Sequence, residues 1–139
     1  MKNSITHILN RIYNFFFLNS PSFFALFLIN LRVNLLRKNK KIKFKYSKKH
    51  KKFYINNGDA KFYILERKRF SLYGNGFKHR INSLYNYYLL DKINFKEDDN
   101  IIDCGANIGE FFYCLPSKIN YFAFEPSLLE YQFLNSNLV

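Results

Sequence analysis

The run 103–110, with the sequence DCGANIGE, has the residue types and spacing of a loop that binds a small ligand at the end of a β-strand. Two isoleucines precede Asp103, which indicates a strand that ends in an acid. Gly105 and Gly109 follow, and because glycine has no Cβ atom, the backbone of the loop can contact a ligand. Asn107 lies between them and tolerates left-handed φ better than most residues. The run therefore predicts a strand, a ligand-binding loop and the start of a helix.

A second acid, Glu125, follows the apolar segment 121–124, which predicts a second strand. The carboxyl ends of parallel strands meet at one edge of a sheet, so the carboxylate of Glu125 should lie beside the first loop. Its two oxygens can accept hydrogen bonds from both hydroxyls of a ribose. The loop and Glu125 together predict a nucleoside site.

The glycine spacing distinguishes between nucleoside cofactors. A dinucleotide fingerprint has the spacing G-x-G-x-x-G, whereas Gly105 and Gly109 give G-x-x-x-G with Glu110 following. A carboxylate at that position would repel a pyrophosphate. S-adenosyl-L-methionine has no phosphate and carries a positive sulfonium, so a loop flanked by Asp103 and Glu110 favours it. An NAD-binding Rossmann half is the alternative.

The elements that must position the loop are indicated by the flanking sequence. After Gly109 a short helix is ended by Pro116, and the second strand follows. Ser127 and Glu130 have the spacing of a capping box, in which the serine accepts from first-turn amides and the glutamate reaches back to the serine amide. The order strand, loop, helix, strand, helix predicts a right-handed crossover between two parallel strands.

Two further elements are predicted ahead of the loop. The segments 53–55 and 62–64 flank the turn sequence 56–59, which predicts a β-hairpin with a positive φ at Gly58 or an asparagine. An apolar stripe predicts an amphipathic helix over 80–91 whose tyrosines belong to the core. The members of this stripe are Ile81, Leu84, Tyr85, Tyr88 and Leu89.

Burial is predicted for the strand at 101–103 and for both cysteines. Cys104 and Cys114 lie among apolar residues, in neither a metal-ligand cluster nor a C-x-x-C pair. We therefore expect buried, reduced thiols and no metal site.

Positive charge is concentrated in the first third of the chain. Residues 1–52 hold 13 of the 22 Lys and Arg residues and none of the 10 Asp and Glu residues, so they contribute +13 and residues 53–139 contribute −1. This asymmetry predicts a basic, apolar-helical N-terminal extension over 1–52 and an α/β domain over 53–139. The extension should meet an anionic partner.

Two helices are predicted in the extension, over 4–18 and 21–37. Asn, Ser and Pro interrupt the apolar zone, whereas crossing the hydrocarbon takes about 20 mostly apolar residues, so we expect this zone to lie in the membrane interface. It lacks the small-x-small cleavage site of a signal peptide. We expect a cytoplasmic protein with peripheral contact at the inner face of the membrane.

The segment 37–52 packs ten basic residues into sixteen, interleaved with Ile42, Phe44 and Tyr46. It is either a solvated edge strand whose lysines discourage pairing with other sheets, a site for acidic lipid headgroups, or a site for RNA phosphates. Nucleic acid is the least favoured, because basic runs alone are weak evidence. A non-enzymatic basic protein that binds membrane or RNA is therefore the alternative function.

The segments 102–110 (IDCGANIGE) and 122–127 (FAFEPS) resemble the FkbM family of class I methyltransferases, and the resemblance covers roughly residues 79–139. It implies an α/β domain with a partial Rossmann-like methyltransferase fold, consisting of the first two parallel strands and their crossover helices. It further implies methyl transfer from S-adenosyl-L-methionine to a hydroxyl oxygen of a sugar or other small metabolite.

The resemblance also implies which residues hold the cofactor. Asp103, Gly105, Asn107 and Gly109 would hold its amino acid moiety, and Glu125 would hold its ribose.

The family's later elements follow the second crossover helix, and Val139 ends the chain before them. These elements include the loop that covers adenine and the residues that orient the acceptor. No general base can be assigned, and we expect a truncated methyltransferase that is inactive alone.

Overall fold

The computed structural model describes residues 11–13, 15–17, 22–36 and 42–138. Within them the chain is a mixed α/β protein with a three-stranded antiparallel sheet and a two-stranded parallel sheet. The helices are α1 (Ser22–Leu36), α2 (Phe77–Tyr87) and α3 (Leu128–Leu138), and the strands are β1 (Phe44–Ser47), β2 (Lys52–Asn57), β3 (Ala60–Ile64), β4 (Asn100–Cys104) and β5 (Asn120–Phe124). Short 3₁₀ helices cover Arg67–Tyr73, Leu90–Lys92 and Phe111–Cys114.

The predicted hairpin is confirmed, because β2 and β3 pair antiparallel along their length. Gly58 in the turn between them has φ 58°. β1 pairs antiparallel with β2 and forms one edge of this sheet. Residues 44–47 are therefore an edge strand, which was one of the three hypotheses for the basic segment 37–52. The sheet extends across Lys52, where the charge of the sequence changes, and the division of the chain there stays a prediction.

Asparagine side chains bind the outer backbone at both edges of the three-stranded sheet. Asn30 of α1 donates to the carbonyl of Phe44 at 3.0 Å and accepts from its amide at 2.9 Å. Asn137 of α3 does the same at Tyr63, accepting from the amide at 2.7 Å and donating to the carbonyl at 3.1 Å. These bonds attach one helix to each edge of the sheet.

Aromatic packing holds the 3₁₀ helix Arg67–Tyr73 against the sheet. Phe70 stacks on Phe44 with ring centroids 4.9 Å apart and meets Phe53 edge to face at 5.2 Å. Both arrangements are favourable for aromatic pairs. The largest fully buried side chains are Tyr73, Phe44, Phe62, Phe70, Ile64 and Ile108. This core fixes the position of Arg69, which lies in the same 3₁₀ helix.

The helix predicted over 80–91 is displaced toward the N-terminus, because α2 covers Phe77–Tyr87. Tyr88 and Leu89 are exposed, so the prediction that the whole stripe belongs to the core is wrong at its end. Leu89 has a left-handed backbone with φ 54°, which turns the chain and places Leu90 in the core instead. Of the other stripe members, Ile81 and Leu84 are buried and Tyr85 is half-buried.

The two strands predicted around the glycine loop are confirmed as a parallel pair, β4 and β5. The strand at 101–103 was predicted to be buried, and this is wrong for one face, since Ile102 is 65% exposed. Phe122 and Phe124 are exposed on the neighbouring strand. The described elements cover the other face of this sheet. Because successive side chains of a β-strand lie on opposite faces, Ile102, Phe122 and Phe124 lie on the uncovered face.

The two cysteines differ in environment. Both thiols are free, Cys114 is buried as predicted, and Cys104 is exposed, so the prediction is wrong for Cys104. Cys104 ends β4 on its uncovered face, whereas Cys114 lies in the core. Burial, with the nearby Glu110 carboxylate, raises the pKa of the Cys114 thiol to about 11.

The helix predicted over 21–37 is confirmed by α1 for the residues described. Residues 11–13 and 15–17 are helical, and the rest of the helix predicted over 4–18 lies outside the described residues, as does the segment 37–41 of the basic run. None of the described helices combines the length and the apolar character needed to cross a membrane.

Candidate functional site

The loop after β4 has a left-handed backbone at its two glycines and at Asn107, the residue types that tolerate this conformation best. Gly105, Asn107 and Gly109 all have positive φ, at 88°, 51° and 84°. The amides of Gly105 and Ala106 donate to the carbonyl of Phe124 at 2.8 and 3.0 Å, which attaches the loop to the carboxyl end of β5. The loop is therefore anchored to both parallel strands.

Glu125 lies beside the loop, as the parallel arrangement predicted. Its Oε2 accepts a hydrogen bond from the amide of Asn107 at 2.8 Å, and its Oε1 accepts from the amide of Ser127 at 2.8 Å. The carboxylate thus holds the loop and the approach to α3. Each carboxylate oxygen has a second lone pair, so these bonds leave acceptor capacity for a ligand.

The predicted capping box forms only in part. Ser127 Oγ accepts from the amide of Glu130 at 3.4 Å, as expected. The carboxylate of Glu130 does not reach back to Ser127, whose amide is bound to Glu125; it accepts instead from Asn107 Nδ2 at 2.5 Å. The start of α3 is thereby fastened to the glycine loop.

Asp103 is half-buried at the end of β4 and is fixed by a neighbouring strand. Its Oδ2 accepts a hydrogen bond from the hydroxyl of Tyr121 at 2.5 Å. Burial, with the hydrogen bond and charge of Asp103, raises the pKa of the Tyr121 hydroxyl. This tyrosine therefore stays a neutral donor that orients the carboxylate.

Glu110 is buried, and two arginines surround it. Its carboxylate accepts two hydrogen bonds from Arg80, at 2.8 and 3.0 Å, one from Arg69 at 3.1 Å and one from the hydroxyl of Tyr73 at 2.5 Å. Burial alone would raise the pKa of Glu110, but the hydrogen bonds from Arg80 and Tyr73 and the charges of both arginines lower it further than burial raises it. Glu110 is therefore a carboxylate at neutral pH.

This environment corrects one argument from the sequence. Glu110 was expected to present a negative charge that repels a pyrophosphate, and this is wrong because the flanking Arg69 and Arg80 outnumber that charge. The glycine spacing and the carboxylate of Asp103 are what distinguish the cofactors, because the ribose that Glu125 would bind is present in both.

A cavity of about 140 Å³ lies beside the loop. Of the predicted site residues, Asp103, Gly105 and Asn107 line it, whereas Gly109 and Glu125 do not. The remaining lining residues are Arg69, Arg80, Leu84, Tyr88, Ala106, Glu110 and Phe111. Pockets that enclose a drug-sized ligand measure roughly 300–1,000 Å³, so this cavity suits one end of such a ligand.

Gly109 faces the protein interior. A Cβ atom there would lie 3.0 Å from Leu134 Cδ1 and 3.2 Å from Leu138 Cδ2, whereas one on Gly105 would meet nothing within 4 Å. Gly109 is needed for the approach of α3, and Gly105 for the turn of the backbone beside the cavity.

Replacing Gly109 by alanine should lower the free energy of unfolding by about 2–3 kcal/mol, whereas Gly105→Ala should lower it by about 1–2 kcal/mol. Both variants place a Cβ atom on a left-handed backbone, but only the first also compresses Leu134. Urea unfolding followed by circular dichroism measures both. Equal losses in the two variants would contradict the close packing of α3 on Gly109.

Sequence reasoning missed Arg69, Arg80 and Tyr73. Arg80 lies 30 residues before Glu110 and Arg69 lies 41 before it, so no local spacing links them. Arg69 also donates to Asn107 Oδ1. The one available signal was Glu110 itself, because a buried carboxylate requires cationic partners.

The residues that the structure describes contain no group of three or more His, Cys, Asp and Glu side chains that could hold a metal ion. Comparisons of the chain with protein-family models, with curated proteins and with solved structures give no match.

Proposed function

We propose that this chain carries the cofactor-binding part of an S-adenosyl-L-methionine-dependent methyltransferase of the FkbM type, built on a Rossmann-like parallel sheet. The observation that carries the proposal is the bond between Glu125 and the amide of Asn107, which joins the acid after β5 to the glycine loop after β4. A nucleoside binds at this edge in open parallel sheets. The acceptor, by the same resemblance, is a hydroxyl of a sugar or small metabolite.

The residues around the cavity fit the amino acid end of this cofactor. Asp103 offers a carboxylate for an ammonium group, and Arg69 and Arg80 offer guanidinium groups for a carboxylate. Tyr121 orients Asp103 through its hydroxyl. The cavity volume of about 140 Å³ suits this end of the molecule, with the nucleoside directed toward Glu125.

The cofactor supplies an electrophilic methyl group on sulfonium, and the protein contributes mainly by positioning. Asp103 and the loop would fix the amino acid end, and Glu125 would accept hydrogen bonds from the ribose hydroxyls. Both carboxylates are held by the backbone or by Tyr121, so little reorganisation is needed on binding.

Binding of S-adenosylhomocysteine tests the proposal. We expect isothermal titration calorimetry to detect binding to the whole chain, and Asp103→Asn to weaken it by about 10–100-fold, because a hydrogen bond to a charged group contributes roughly 1.5–3 kcal/mol. The exposed Asp91→Asn is the matched control and should bind normally. Absence of binding by the wild-type chain would sink the proposal.

The NAD-binding alternative is separated by the same titration. Arg69 and Arg80 compensate the charge of the Glu110 carboxylate, so this residue does not exclude a pyrophosphate. NAD is therefore titrated in parallel. Binding of NAD that S-adenosylhomocysteine does not compete away would replace the methyltransferase by a dinucleotide-binding half-domain.

A further inference from the structure

Helix α1 is apolar on two opposite faces. Ala25, Ile29 and Val33 are buried, with exposures of 0%, 4% and 2%. The second row is offset by two residues, or about 200° around the helix. This row, the outer face of α1, consists of Phe23, Phe27, Leu31 and Leu35, exposed by 75%, 58%, 41% and 65%. A row of four large apolar side chains that no described element covers calls for a partner.

The neighbouring helical residues extend this exposed apolar surface. Tyr13 packs under the guanidinium of Arg32 on α1, with 4.4 Å from Cζ to the ring centroid, so the helical residues at 11–13 lie beside α1. Phe15 and Phe16, which follow in the helical residues 15–17, are exposed. Large exposed apolar side chains concentrated in one part of a molecule mark protein–protein or membrane contact.

Positive charge accompanies this surface. Asn30 binds the backbone of Phe44, which brings the outer edge of β1 alongside α1. Lys43, next to Phe44, is exposed, as are Lys48 and Lys49 in the turn after β1. Residues 1–52 contain no acid to offset them.

We infer that α1 lies in the interface of an anionic lipid bilayer, with its outer face at the acyl boundary and the lysines of the β1 edge on the headgroups. Exposed phenylalanine and leucine beside lysine are the composition of interfacial helices. Anionic headgroups attract basic segments close to the surface. RNA would engage the lysines but leave the outer face in water, so a lipid surface accounts for both features.

Vesicle sedimentation of the whole chain tests the inference. We expect binding to phosphatidylcholine vesicles that contain 25% phosphatidylglycerol and much weaker binding to phosphatidylcholine alone. High salt should weaken the binding. The double variant Phe23→Ser/Phe27→Ser should reduce partitioning by about 100-fold, or roughly tenfold for each phenylalanine withdrawn from the acyl boundary.

The control variant Phe122→Ser/Phe124→Ser makes the same change on the exposed face of β4 and β5 and should bind vesicles normally. Circular dichroism verifies that both double variants are folded. Equal loss of binding in both would overturn the inference, as would binding to a single-stranded RNA oligonucleotide without binding to vesicles. A dimer in light scattering that dissociates only in the α1 variant would assign the outer face to a second copy of the chain and also overturn it.

Discussion

Replacing Arg80 by methionine lowers the free energy of unfolding by about 3–5 kcal/mol. Methionine keeps the apolar stem of the side chain but removes two of the four hydrogen bonds to Glu110. The carboxylate then stays buried with Arg69 as its remaining cation. Urea unfolding at neutral pH measures the loss.

Two further variants test this explanation. Lys78→Met also replaces a cationic side chain by methionine, at an exposed position of α2, and should change the free energy of unfolding by less than about 0.5 kcal/mol. Glu110→Gln in the Arg80→Met background should restore part of the loss, because a carboxamide carries no charge to compensate. Equal effects of Arg80→Met and Lys78→Met would show that the cluster does not stabilise the fold.

The loss should also depend on pH. The pKa of Glu110 lies below its ordinary value of 4.5 in the folded chain, so its stabilising contribution is fully present above that pH and is lost as pH falls through the lower, native pKa. In Arg80→Met, burial with fewer partners raises the pKa of Glu110, and protonation then relieves the buried charge. The difference in stability between the two proteins should therefore begin to narrow as pH falls toward 4.5, and narrow further below it as the wild type loses the contribution of Glu110.

Replacing Asn137 by alanine lowers the free energy of unfolding by about 3–4 kcal/mol. The side chain is buried and makes three hydrogen bonds, two with the backbone of Tyr63 and one to the carbonyl of Ile108 at 2.8 Å. Alanine leaves one donor and two acceptors without partners, and each unsatisfied buried group costs about 1–3 kcal/mol, although such costs are not additive. Thermal and urea unfolding measure the loss.

The exposed Asn135 provides the matched control on the same helix. Asn135→Ala should leave stability unchanged or raise it slightly, because alanine has the higher helix propensity. Asn137→Asp keeps the shape but replaces the donor with an oxygen that faces the carbonyls of Tyr63 and Ile108, so it should destabilise more than alanine at neutral pH. An aspartate variant as stable as the wild type would refute the hydrogen-bond assignment.

Local signals account for the features of the fold that the sequence predicted. The hairpin around Gly58 and the glycine loop are each specified within a few residues, because glycine and asparagine adopt the positive φ that these turns require. The position of Glu125 followed from a general property of parallel sheets. These signals sufficed to place the candidate site at the carboxyl edge of β4 and β5.

Long-range contacts account for what the sequence did not predict. Arg69 and Arg80 bind Glu110 from 41 and 30 residues away, and a hydropathy pattern carries no information about pairs so distant in sequence. The apolar pattern predicted a helix that continues past the end of α2, because hydropathy does not reveal the left-handed backbone at Leu89. Burial of β4 was overestimated because an apolar strand has the same sequence whether one face or both are covered.

The asparagines at the two sheet edges have a consequence for encounters with other chains. A carboxamide has the donor and acceptor of a peptide group, so Asn30 and Asn137 each imitate one residue of an additional strand. A foreign strand that tried to join the sheet at Phe44 or Tyr63 would have to displace an amide that already makes both bonds. The helices that carry these two side chains therefore block a foreign strand from pairing with either edge of the antiparallel sheet.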